Sequence, residues 1–300
     1  MTLESLKEEF VFDCQVRELT ERTCHNYEKQ LNMFLRFLNS ECGINEIEDL
    51  KAIHIKEYIH ALQEAKKKPS YINDLLTAIK CYCGYAFREG YTEELITKKV
   101  KNVKEPKVLI HTFSNEEIKR MINYYNGDDF LSVRNKLILM VLFDTGIRIS
   151  ELMEMRANQI QDGYFIIYGK GRKERIVPKN PTVSKWLIRY SSLKKSFFIM
   201  KETQNYVFLS KNGKKLTEEG ICKMMKIASE AVGVNPMVRV SPHTCRHTFA
   251  HQQLKNGLDL YSLSRILGHE SVSITQRYLE AIEDSQIITS SRKAGVLSNL

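Results

Sequence analysis

Residues 241–246 read Ser241-Pro242-His243-Thr244-Cys245-Arg246. Serine ahead of proline marks a helix start: the hydroxyl accepts from the open amides of the first turn, and proline's fixed φ suits the first helical position. His243 and Arg246 then stand three apart and share one face. Downstream, Leu267-Gly268-His269 closes a short apolar helix on a glycine, and Tyr278 follows nine residues later on the next helix. Upstream, Thr145-Gly146-Ile147-Arg148 places a second arginine at another helix start. Between these pieces, two short β-prone runs, Tyr164–Tyr168 and Arg175–Val177, flank the turn Gly169-Lys170-Gly171 and end at Pro178. This half of the chain is therefore expected to be helical around one small antiparallel sheet.

The same residues describe a chemistry. Arg148 and Arg246 are planar, permanently charged forks able to hold the non-bridging oxygens of one phosphodiester, and Tyr278 is a nucleophile able to bond covalently to phosphorus. A phosphodiester is shielded by its own charge. Cutting it needs that charge neutralised, a nucleophile in line with the leaving oxygen, and a proton for that oxygen. No acidic cluster with metal-site spacing occurs in the sequence, so no metal or other cofactor is expected; cations take that place. Each preorganised donor in such a site is worth about 3–4 kcal/mol of the barrier. Arg148 read alone is a surface arginine paired with Glu151 at i+3, and Glu151 is expected to orient it. His243 assists proton transfer from the tyrosine, a role suited to imidazole, whose free pKa lies near neutrality, and His269 donates to a phosphate oxygen. His247 and His251 at i and i+4 allow a zinc reading, but no Glu follows the first His, and Phe249 and Ala250 lie between them. A free tyrosine has a pKa of about 10, so the surrounding cations must favour the phenolate during attack.

Outward from this region, the first third of the chain reads as helices. Thr20-Glu21 opens a run with Tyr27, Leu31, Phe34, Leu35 and Leu38 on one stripe; Ile53–Leu62 is a second amphipathic helix. Pro69 stops it, and Ser70 is placed to cap a third carrying Ile72, Leu75, Leu76, Ile79 and Phe87. With a short helix before Cys14 this makes four. Five lysines (98, 99, 101, 104, 107) and Pro106 mark a solvated linker, and Ser114-Asn-Glu-Glu117 is a capping box opening the second domain. The predicted organisation is mainly α in two domains: 1–95 four-helix, 96–111 linker, 112–281 α+β, and 282–300 a C-terminal tail.

Three hundred residues suffice for two cores, and the net charge of +9 is uneven. Residues 1–95 carry 12 Lys and Arg against 17 Asp and Glu, a net −5, which leaves +14 for residues 96–300. A polyanionic partner is thus held mainly by the second domain. In the acidic first domain, Lys66, Lys67, Lys68, Ser70 and Asn73 form a basic cluster at a helix start, suited to backbone phosphates with one or two side chains reaching base edges. Seven cysteines, an odd set, without a basic-then-apolar leader at Met1–Cys14, point to reduced thiols in a cytoplasm. No apolar run reaches the length that spans a bilayer.

In combination and order, Arg148, Lys170, His243-Thr-Cys-Arg246, Leu267-Gly-His269 and Tyr278 resemble the tyrosine recombinase (phage integrase) family, particularly its compact Xer-like members. The resemblance is dense over the second domain and rests on pattern alone over the first, where it implies a SAM-like, core-binding domain. It makes Lys170 the general acid for the leaving 5′ oxygen; Arg172, Lys173 and Arg175 in the same basic turn are expected to contact the DNA backbone only. It also implies a metal- and ATP-independent site-specific DNA strand transferase acting through a 3′-phosphotyrosine and a Holliday junction. Four protomers act on two double-stranded sites, with accessory proteins as further partners. The tail after Tyr278 is a candidate for docking onto a neighbour, and the host is bacterial, with the protein nucleoid-associated or encoded by a phage or mobile element. The chain begins almost directly at the first domain, which favours recombinases without an arm-binding domain; integration or excision of a mobile element and resolution of DNA multimers both fit. Two alternatives stay open: a topoisomerase IB-like nicking and religating enzyme, and a non-catalytic DNA-binding protein on the same fold.

Overall fold

A computed structural model of the protein describes residues 1–106, 110–169, 174–269 and 271–276. The chain divides into two units, Met1–Val108 and Leu109–Leu300. It is mainly helical, with one two-stranded antiparallel sheet among the described residues.

The first unit holds four α-helices, α1 (Leu3–Val16), α2 (Glu21–Phe37), α3 (Ala52–Glu64) and α4 (Pro69–Arg88). Thr2 and Thr20 cap α1 and α2 through their hydroxyls, as threonine before an acidic first turn does. A π-turn over Leu38–Cys42 ends α2 at Gly43, and α3 then carries Ile55, Tyr58 and Leu62 inward. α4 lies deepest, burying Ile72, Leu75, Leu76, Ile79 and Tyr82, and the Tyr82 hydroxyl donates to the Leu3 carbonyl at 2.8 Å. The start of α4 differs from the expectation. Lys68 occupies the cap position and Pro69 is the first helical residue, so Ser70 lies inside the helix and caps nothing. The physical reason is proline itself: its missing amide costs nothing at that position and its φ is already helical.

Asn73 also differs. It is buried, and its side chain works inside the unit: Nδ2 donates to the Val103 carbonyl at 2.9 Å and to Glu105 Oε1 at 2.6 Å, while Oδ1 accepts from the Val103 amide at 2.9 Å. A residue expected to face DNA thus clamps residues 103–105 onto α4. With Ile96, Val100 and Val103 packed on the same core, residues 96–103 of the expected linker belong to this unit.

The second unit is built around α6 (Phe130–Thr145), whose Val133, Leu137, Val141 and Leu142 are fully buried. α5 (Asn115–Tyr124) precedes it, opened by the reciprocal Ser114–Glu117 capping box. The Glu117 carboxylate also accepts from the Asn235 amide at 2.8 Å, tying α5 to the loop after α9 (Glu218–Val232). α7 (Ile149–Glu154) leads to β1 (Tyr164–Tyr168) and β2 (Glu174–Pro178), paired Tyr164 with Pro178 through Tyr168 with Glu174. Period-2 alternation turns Phe165, Ile167 and Val177 to the core and Ile176 to solvent. α8 (Pro181–Phe197) stacks Tyr190 on Phe130 and Phe208. α10 (Pro242–Lys255), α11 (Leu260–Leu267) and α12 (Val272–Gln276) follow among the described residues.

α6 and α10 meet at Gly146, which ends α6 with φ +60°. A Cβ there would lie 2.4 Å from a Phe249 ring carbon, so both the left-handed backbone and the close approach demand glycine. Gly146→Ala should lower the unfolding free energy of the second unit by about 2–5 kcal/mol, from left-handed strain plus overpacking; calorimetry resolving the two units' transitions should show the first unit's unmoved. Asn73→Ala should cost the first unit about 2 kcal/mol by orphaning the Val103 amide and carbonyl; hydrogen exchange at Val103 as slow as in the wild type would refute the clamp.

Candidate active site

α10 is a polar helix in an apolar place. Thr244, Arg246, His247 and Thr248 are all buried although none is apolar. Burial of that kind is tolerated only when each group is bonded. Ser241 caps the helix through the Thr244 amide, with Pro242 first in the helix.

Arg246, 4% exposed, donates from Nη1 to the Gly146 carbonyl at 2.8 Å and from Nη2 to the Leu267 carbonyl at 2.7 Å. The same Nη2 lies 3.0 Å from His269 Nε2, and His269 Nδ1 lies 2.7 Å from the Thr275 hydroxyl of α12. The second arginine, Arg148, stands at the cap position of α7. Its amide donates to Glu151 Oε2 at 2.7 Å, its Nη1 to Glu151 Oε1 at 3.0 Å, and its Nη2 to the Gly268 carbonyl at 3.0 Å. Gly268 ends α11 with φ +65°. The two guanidinium groups therefore sit on adjacent carbonyls, Leu267 and Gly268, at the negative end of the α11 dipole. Arg148 remains 42% exposed, open to an incoming anion. His243 is exposed on α10, edge-to-face with the buried His247 at 4.4 Å between ring centroids.

The structure thus brings Arg148, Arg246, His269 and Glu151 together, with His243 one turn before Arg246 on α10. Lys170, Arg172, Lys173 and Tyr278 lie outside the described residues. Lys66, Lys67, Lys68 and Ser70 are exposed around the start of α4 in the other unit, and Asn73 is not.

Arg175 requires a correction. Expected against the DNA backbone, it points into the protein. Its Nη1 and Nη2 donate to Glu151 Oε1 and Oε2 at 2.8 and 2.6 Å, and its Nε donates to the Ile266 carbonyl at 2.7 Å. The pair is 10% and 7% exposed at its two side chains. The signal was present in the strand: Arg175 and Val177 share the inward face by alternation, and a charged residue at an inward position needs a buried partner. Glu151 itself feels opposing effects. Burial pushes its carboxyl up, but the hydrogen bonds and charge of Arg175, followed by the amide and charge of Arg148, outweigh it and hold the group below the usual glutamate range. The partner Thr275 had no counterpart in the sequence reading, since a threonine six residues after a histidine carries no local pattern.

Comparisons with known proteins place the whole chain. Residues 111–284, more than half the chain, match the phage integrase family, and residues 9–90 match the phage integrase N-terminal SAM-like domain. The tyrosine recombinase XerD of Halalkalibacterium halodurans is 29% identical over 264 residues, covering 87% of this chain and 88% of that protein. The XerD of Staphylococcus haemolyticus is 29% identical over 279 residues, 92% of this chain and 94% of the relative. Among solved structures, the XerH site-specific recombinase in a post-cleavage complex with its palindromic difH substrate has a TM-score of 0.76 at 17% identity, covering 95% of this chain and 84% of that one. The Tn1549 transposon integrase bound to transposon right-end DNA has a TM-score of 0.75 at 16% identity, covering 98% and 99%. The folds agree across both units, and the chain belongs to the phage integrase family of tyrosine recombinases.

Proposed function

We propose that the protein is a site-specific DNA recombinase that cuts and rejoins double-stranded DNA through a covalent tyrosine intermediate. The observation that carries this reading is the pair of guanidinium groups on the adjacent Leu267 and Gly268 carbonyls, with His269 bonded to one of them. Two forks fixed on consecutive carbonyls are suited to the two non-bridging oxygens of one phosphodiester.

On this reading Tyr278 Oη attacks phosphorus. A Tyr–O–P bond forms at the 3′ phosphate as the bond to O5′ breaks; His243 assists removal of the phenol proton, and Lys170 supplies a proton to O5′. A 5′ hydroxyl from the partner strand then attacks the phosphotyrosine and frees Tyr278. The bond energy is kept in the protein–DNA link, so the exchange needs no ATP. Two rounds pass through a Holliday junction, with four protomers on two sites and the tail 282–300 docked on a neighbour. Lys66, Lys67, Lys68 and Ser70 contact the backbone from the first unit, while Arg172 and Lys173 do so beside Lys170. The relatives support a bacterial setting, and one solved neighbour bound to transposon right-end DNA supports a DNA substrate; among the described residues no helix is long and apolar enough to cross a membrane.

Mapping protein-linked DNA ends in cells supplies the site, which can be rebuilt as a nicked duplex. The wild type should form a covalent adduct on it, Tyr278→Phe should form none while binding with unchanged affinity, and Arg148→Ala should slow adduct formation about 10²–10³-fold. An adduct with the Phe variant refutes the nucleophile. Two cloned sites should exchange strands; relaxation of supercoils without exchange would favour the topoisomerase-like alternative instead.

A further inference from the structure

A third arginine stands behind the phosphate clamp. Arg175 and Glu151 form a bidentate, largely buried pair, and each Glu151 oxygen also accepts one N–H of Arg148, from the side chain at Oε1 and from the amide at Oε2. An arginine whose sole counter-charge is a neighbouring glutamate is already neutralised and attracts a phosphate weakly. Here the glutamate is shared with a second cation, so the group of three carries one net positive charge.

We propose that Arg175 is a positioning residue for DNA cleavage: it takes up the charge of Glu151, so that this carboxylate orients Arg148 without cancelling it, and the charge of Arg148 is left for the phosphate. The inference rests on the recombinase reading for its substrate but concerns a residue whose donors the structure turns into the protein. Two further observations support it. Arg175 Nε bonds the Ile266 carbonyl, immediately before the two carbonyls that hold Arg246 and Arg148, so all three guanidinium groups are registered on one helix end. The stem and head of Arg175 also fill the space where a Gly268 side chain would stand, 2.9–3.1 Å from an ideal Cβ, so the glycine that turns its carbonyl toward Arg148 also admits Arg175.

The test uses the full-length protein with Arg175→Gln, Arg175→Lys and the double variant Glu151→Gln/Arg175→Gln. Two readouts are taken: single-turnover cleavage of the mapped nicked duplex at saturating protein, and affinity for orthovanadate followed on the guanidinium 15N signals of Arg148 and Arg246. R175Q should lower both at least about tenfold, leaving DNA affinity unchanged, because Glu151 then pairs with Arg148 alone. The double variant should recover most of the loss, since no uncompensated carboxylate remains. R175K, which keeps the charge and loses the fork, should fall between and carries the comparison if R175Q does not fold. Wild-type values in R175Q or R175K, or a double variant no better than R175Q, would overturn the proposal, the latter by reducing Arg175 to a strut. The vanadate arm needs no DNA site, so a wild type that binds vanadate but forms no adduct strikes the recombinase reading and leaves the role of Arg175 to be decided by the variants.

Discussion

The C-terminal end of α11 organises the site. A helix leaves its last carbonyls without intrahelical partners and concentrates partial negative charge there. In this protein three consecutive carbonyls, Ile266, Leu267 and Gly268, each accept from a different arginine: 175, 246 and 148. Three cations packed in one place would repel each other, and the arrangement holds because the carbonyls and Glu151 offset that repulsion while leaving a net positive charge. The left-handed turns at Gly146 and Gly268 aim their own carbonyls at Arg246 and Arg148, so the site depends on two glycines that have no side chain to offer it.

This anchoring explains why α10 departs from the pattern of an ordinary core helix. Its buried Thr244, Arg246, His247 and Thr248 contradict the rule that apolar residues face inward, and violations of that kind concentrate at functional sites. Thr244 bonds the Arg239 carbonyl, and Thr248 bonds both the Thr244 carbonyl and the Phe113 amide, so the polar cost is met locally. The result is a rigid support for Arg246, which reaches the end of α6 on one side and the end of α11 on the other.

Much of the secondary structure was legible because its signals are local. Caps at Ser114 and Ser241, the glycine end at 268, and the alternation across β1 and β2 each involve residues a few positions apart. Where the reading went astray, two local signals competed. At Pro69-Ser70 the capping preference of serine was set against the fit of proline at the first helical position, and proline won. At Asn73 and Arg175 a polar side chain beside other polar residues was read as facing out, whereas burial was decided by partners 30 and 24 positions away.

By itself the sequence determined the family, and with it the chemistry to be expected, because residue types at a fixed order and spacing are what the family is recognised by. It also determined the helical framework, because periodicity and caps act within one or two turns. The tertiary structure alone decided which arginine stays partly open to solvent and which is buried behind it. Arg148 and Arg175 are both basic residues next to structural boundaries; strand alternation turns Arg175 inward, but no local signal names the carboxylate that it meets 24 positions away. Only the meeting of α7, β2 and the end of α11 does so, because it places one buried carboxylate between the two arginines and leaves one of them partly open to solvent.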